Sequence, residues 1–119
     1  MSEINYLTQK DLQKWQKKLN LTDWTIELKQ NCPLNEFVLD KVKAETEWNF
    51  ENKTAIIRMI ADNEYTDTIL PYHKEKVLVH ELLHIKFAVL WENNSDIQNM
   101  LLHQIIEELA RILTEKGEK

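Results

Sequence analysis

Between Thr8 and Asn20 the apolar residues Leu12, Trp15 and Leu19 stand three and four positions apart, the spacing that lines one face of a helix. Thr8 is placed to cap that helix, Asp11 follows three residues later, and Lys17 and Lys18 sit beside the carbonyls of its last turn. From Trp24 the period changes to two. Trp24, Ile26 and Leu28 alternate with Thr25, Glu27 and Lys29, which predicts a strand with one face on the core. The stretch from Asn31 to Glu36, with Pro33 inside it, is expected to end that strand. A hairpin is expected over 42–60: Val42, Ala44, Thr46 and Trp48 alternate on one arm, Asn49 to Lys53 turns, and Thr54 to Ile60 forms the other. The second arm is apolar on both faces except at Arg58, as expected of a more covered strand.

Ala61 to Pro71 reads as a polar loop. Pro71 suits the entry to a helix reaching about Leu90, whose apolar positions from Val77 to Val89 go almost all round the axis and so belong in the interior. After a turn at Asn93, Asn94 and Ser95, a last helix is expected from Asp96 to Lys116, with Leu101, Leu102, Ile105, Ile106, Leu109, Ile112 and Leu113 on one broad face. The order of helix, three strands, helix, helix predicts an α+β fold in which the helices lie to one side of a small sheet.

Length and charge narrow the class. The 119 residues, 43 % of them apolar, suit one domain over 1–119, and a chain of this size buries roughly two thirds of its unfolded surface. The single cysteine, Cys32, cannot form an internal disulfide, which points to a reducing, cytoplasmic setting. No apolar run approaches a membrane span or a signal-peptide core. The net charge of -5, with no basic block beyond Lys14, Lys17 and Lys18, argues against direct nucleic-acid binding. The one glycine, Gly117, is in the tail, which argues against Gly-rich phosphate loops.

Within the interior helix stands His80-Glu81-Leu82-Leu83-His84, the HExxH pattern. Two imidazoles one turn apart on the same face can bind one zinc ion, and Glu81, about 100° round the axis from His80, is placed to act as general base toward a water on the metal. Zinc brings the pKa of such a water to about 7, so the expected reaction is amide hydrolysis. The bland alternative, two histidines and a glutamate carried incidentally on a core helix, leaves three polar groups to be buried without partners.

A closed site needs a third protein ligand, and the last helix offers His103, Glu107 and Glu108. Its apolar face centres near Leu109. His103 lies at one border of that face, Glu108 at the other, and Glu107 almost opposite. His103 therefore ranks first, but a small rotation of the helix exchanges the candidates.

The stretches from Val77 to Phe87 and from His103 to Arg111 resemble the zincin metallopeptidases, and more narrowly the small bacterial and phage proteins built as a minimal zincin domain. That resemblance implies a metal-ligating imidazole or acid at the start of the second stretch, which falls on His103. It also implies a peptide or protein substrate lying as an extra strand along a sheet edge, which the 42–60 hairpin would provide. His84 is followed by Ile85, Lys86 and Phe87, so the longer HExxHxxGxxH extension is absent.

Other residues carry weaker signals. His73 shares the helix face of His80 but reads first as a solvated residue near the helix start. Tyr65 and Tyr72 are candidate oxyanion donors. Trp15, Trp24, Trp48 and Trp91 read as packing residues, Cys32 as inert, and Arg58 as an edge position facing water rather than a carboxylate partner. The expectation is a zinc peptidase with His80, His84 and His103 as ligands and Glu81 as base. The alternatives are a metal-binding regulatory module with the same frame and little hydrolytic activity, or a structural domain with no metal. So small a chain leaves room for a protein partner or a second copy to complete the cleft.

Overall fold

The computed structural model describes residues 6–37, 43–62, 73–88 and 96–115. Val42, Tyr65, Pro71, Tyr72, Leu90, Trp91 and the expected turn at 93–95 lie outside them. Helix α1 spans Gln9–Lys18, and Thr8 caps it as its pattern predicts. Thr8 Oγ1 accepts from the Asp11 N–H at 3.1 Å while Asp11 Oδ2 accepts from the Thr8 N–H at 2.8 Å, a reciprocal cap whose loss costs about 1 kcal/mol. Asn20, in the left-handed region at φ 60°, turns the chain out of the helix. The buried Gln16 side chain then donates to the carbonyls of Leu21 and Trp24, both at 3.0 Å, and so fixes the path into the sheet.

Strand β1 spans Thr25–Cys32 and is longer than its alternation predicts. The expected break at Asn31 is a bulge instead. Asn31 sits at φ 59°, the register shifts between Lys29 and Cys32, and pairing resumes with Cys32 opposite Ile60. Leu34–Glu36 then forms a single 3-10 turn. Strands β2 (Ala44–Asn49) and β3 (Thr54–Ile60) make the expected antiparallel hairpin, and β1 joins β3 in parallel, giving a mixed sheet in the order β1-β3-β2.

The central place of β3 accounts for its apolar content on both faces, and it corrects the reading of Arg58. That residue does not face water from an edge. Its guanidinium lies between Glu45 at 3.0 Å and Glu47 at 3.3 Å, both on β2, with Glu45 directly opposite in the register. Only 2 % of the Glu45 side chain is exposed, so Arg58 is the charge that offsets its burial.

Helix α2 spans Lys74–Lys86 and α3 spans Asp96–Glu115. α2 is buried almost all round, at Leu78, Val79, Leu82, Leu83 and Ile85. Its first turn is docked on α1 through Glu75, which accepts from Trp15 Nε1 at 2.6 Å and from Lys14 Nζ at 2.9 Å. Ile26, Ala55, Ile57 and Met59 from the sheet meet Leu12, Trp15, Leu78, Leu82 and Ile106 in one core. The broad apolar face expected on α3 is only half covered. Leu102, Ile106 and Ala110 are buried, whereas Leu101, Ile105 and Ile112 are exposed, because the face is wider than its contact with α2. Among the described residues no helix is long and apolar enough to cross a membrane.

Candidate metal centre

His80 and His84 occupy successive turns of α2, so their rings share one face. Which α3 residue meets them depends on the rotation of that helix. Burial of Leu102, Ile106 and Ala110 sets the rotation and turns His103 toward the pair. The ring centroids lie 4.9 Å apart for His80 and His84, 5.0 Å for His80 and His103, and 5.6 Å for His84 and His103. One nitrogen from each ring falls within 4.8 Å of the others, and the Nε2 atoms of His80 and His84 are 3.1 Å apart.

The two glutamates weighed against His103 stand elsewhere. Glu107, one turn further along α3, accepts from His80 Nδ1 at 2.6 Å through Oε1, and Lys76 Nζ lies 3.3 Å from its Oε2. Glu108 points outward, 4.0 Å from Arg111. Burial raises the Glu107 carboxyl, but the His80 ring and the Lys76 ammonium outweigh it and hold the group below the usual carboxylate range. An ionised Glu107 fixes the proton of His80 on Nδ1 and leaves the Nε2 lone pair directed at the cluster.

Burial also decides the charge of the two α2 histidines. It lowers the pKa of His80 against the pull of Glu107, and with the neighbouring His80 and His103 it lowers that of His84 to about 3. Both are neutral at pH 7, the state in which imidazole is a ligand. Glu81 is buried next to them in sequence. Its desolvation pushes the pKa up to about 7, opposed by the Thr46 hydroxyl, which donates to Oε1 at 2.6 Å, and reinforced by Glu45 and Glu107.

The donor set suits a small divalent ion. Two nitrogens at about 2.0–2.1 Å from a tetrahedral zinc stand about 3.3 Å apart, close to the 3.1 Å between the α2 rings. His103 is the exposed member of the trio. A shallow depression of about 460 Å³ runs along α3 beside it, lined by His103, Gln104, Glu107, Glu108 and Arg111.

Two contacts of this centre were not singled out in the sequence. Thr46 is on the inward set of β2 with Ala44 and Trp48, a placement the alternation shows, but its meeting with Glu81 depends on tertiary packing. Glu107 follows His103 by one turn, and its bond to His80 requires the crossing of α2 and α3. His73 is exposed at the N-cap of α2, makes no side-chain capping bond and is not a member of the trio. Cys32 is buried, Trp15 and Trp24 are core residues, and Trp48 is half-buried. No protein-family model, curated protein or solved structure matches this chain.

Proposed function

We propose that the chain is a zinc-dependent peptidase of the minimal zincin type. The observation that carries this reading is the meeting of three imidazoles from two helices around one point, with the buried Glu81 carboxylate adjoining His80 in the chain. His80, His84 and His103 would hold the ion. When bound, zinc supplies a Lewis acid that polarises a carbonyl and makes a water more acidic. Glu107 holds His80 in the tautomer that leaves Nε2 for the metal, and Lys76 keeps Glu107 charged.

Glu81 is the proton carrier. Thr46 occupies Oε1, so Oε2 is the oxygen that takes a proton and later returns it to the departing amine. A pKa near 7 lets the carboxyl do both at neutral pH. β2 is an outer strand of the described sheet and carries Thr46, so an extended peptide laid against it runs past Glu81. The test has two parts. Metal analysis of purified protein is expected to give about one zinc per chain, lost on joint replacement of His80 and His84 by Ala. Labelled casein is expected to be cut by the wild type and not by Glu81→Gln. Zinc bound with full activity in Glu81→Gln would remove the mechanism, and a wild type that binds no metal would remove the reading.

A further inference from the structure

Among the described residues α3 meets the rest of the fold mainly through α2, and it does so along two narrow rows. One row is apolar. Leu102, Ile106 and Ala110 are buried in it, with Leu109 and Leu113 partly buried against the same core. On the outer side Ile97, Met100, Leu101, Ile105 and Ile112 are each at least 50 % exposed, so this 20-residue helix commits few large side chains to the interior.

The other row is polar. Lys76, His80 and His84 stand four residues apart on α2, and His103 and Glu107 stand four apart on α3. The helices run antiparallel, and each of the two α3 residues falls between two of the α2 residues. Glu107 reaches Lys76 at 3.3 Å and His80 at 2.6 Å, while the His103 ring centroid lies 5.0 Å from that of His80 and 5.6 Å from that of His84. The fastenings along this row are unequal. Glu107 and Lys76 are open to water, and ion pairs so exposed hold little. His103 faces the α2 pair with ring nitrogens within 4.8 Å of theirs, the layout of a site for one shared ion. An element with few buried apolar side chains and exposed polar fastenings belongs to the low end of local stability.

Resting on the zinc reading above, we propose that His103 is a latch: by sharing an ion with His80 and His84 it fastens α3 to α2, so that α3 opens readily in the metal-free chain and is held closed in the zinc-loaded one. The closed form offers three imidazoles to the ion and the open form keeps the two of α2, and that difference in affinity is what shifts the balance. Each opening carries His103 and Glu107 away from the α2 pair together, so the site is complete only while α3 is down. The supply of zinc then regulates the site through the position of one helix.

Hydrogen exchange of the full chain at pH 7, followed by mass spectrometry with zinc in excess or with chelator, tests the latch. A ligand at about 100 times its dissociation constant shifts an equilibrium about 100-fold if it binds one form alone, and the two rings left in the open form reduce that figure. Amides of 101–113 are therefore expected to exchange at least ~10-fold more slowly with zinc, while those of β3 change less than ~2-fold. His103→Ala, at an exposed position and with an unchanged circular dichroism spectrum, is expected to leave 101–113 at the metal-free rate even at saturating zinc. Zinc uptake with equal exchange of 101–113 in both states overturns the latch alone, as does slowing that persists in His103→Ala or that extends equally to β3. A wild type that takes up no zinc removes the metal reading and the latch with it.

Discussion

The Thr46 hydroxyl donates a 2.6 Å hydrogen bond to Glu81 Oε1, joining the outer strand β2 to the helix that carries His80 and His84. The bond holds the carboxylate in one rotamer, and among the described residues it is the influence that lowers the pKa of a group that burial and the Glu45 and Glu107 charges all raise. Thr46 touches none of the three imidazoles of the trio through this bond, so its loss separates proton handling from metal binding. Thr46→Val is expected to lower kcat on labelled casein on the order of 10-fold, the scale of a misplaced catalytic group, with zinc affinity unchanged. Thr46→Ser, which restores the hydroxyl, is expected to recover most of the rate. A valine variant with wild-type kcat removes the positioning role.

Glu107 acts on the His80 ring rather than on the Glu81 carboxyl's hydrogen bond. Its bond to His80 Nδ1 at 2.6 Å fixes the ring and its tautomer, and carboxylates in that position are worth about 10- to 100-fold in metal affinity. Glu107→Gln is expected to weaken zinc binding by that factor in competition with a chromophoric chelator. Glu108→Gln, which alters an exposed side chain beside Arg111, is expected to leave the affinity unchanged. Equal affinities for both variants and the wild type dispose of the role given to Glu107.

What was legible in the sequence was local. The Thr8 and Asp11 cap, the turn-spaced His80 and His84 and the alternation of β2 and β3 each depend on residues a few positions apart. The misreadings come from long-range pairing. Placing β1 beside β3 makes β3 central, and the register of the β2–β3 hairpin sets Glu45 opposite Arg58, which no pattern within 54–60 contains. Asn31 carries a breaker signal, yet the sheet accommodates it as a bulge, because Cys32 regains a partner in Ile60. The choice among His103, Glu107 and Glu108 depends on the rotation of α3, set by which apolar residues α2 covers. Periodicity reports how wide an apolar face is and not how much of it the chain itself can cover, so the exposed strip through Leu101 and Ile105 needed the fold.

Cys32 tests the packing of the β1 end without reference to the metal. The thiol is buried beneath the bulge, and desolvation raises its pKa, with the Glu36 charge acting in the same direction. Both the lower thiolate fraction and the lack of access slow its chemistry. Native protein at pH 8 is expected to react with a disulfide-exchange reagent at least ~10-fold more slowly than urea-unfolded protein. Equal rates show that the bulge region opens freely.

Metal-free stability should carry a pH signature from Glu81. Its folded pKa of about 7 is above the ordinary carboxylate value of 4.5, so below pH 4.5 the protonated group costs nothing relative to the unfolded chain. As pH rises from 4.5 to about 7 the unfolded chain releases the proton first, and the folded state loses stability on the order of 3 kcal/mol before the effect levels off. The α2 histidines act in the opposite sense. Buried neutral with lowered pKa values, they cost stability as pH falls below about 6.5, so the wild type alone shows a partly cancelled profile. Glu81→Gln isolates the carboxyl because it leaves both histidines in place. In urea titrations with chelator present, the variant is expected to gain on the wild type steadily between pH 5 and 7, and then to keep a constant advantage. Parallel stability curves across that range mean that Glu81 titrates in the folded protein as it does in the unfolded one, and the burial assigned to it is wrong.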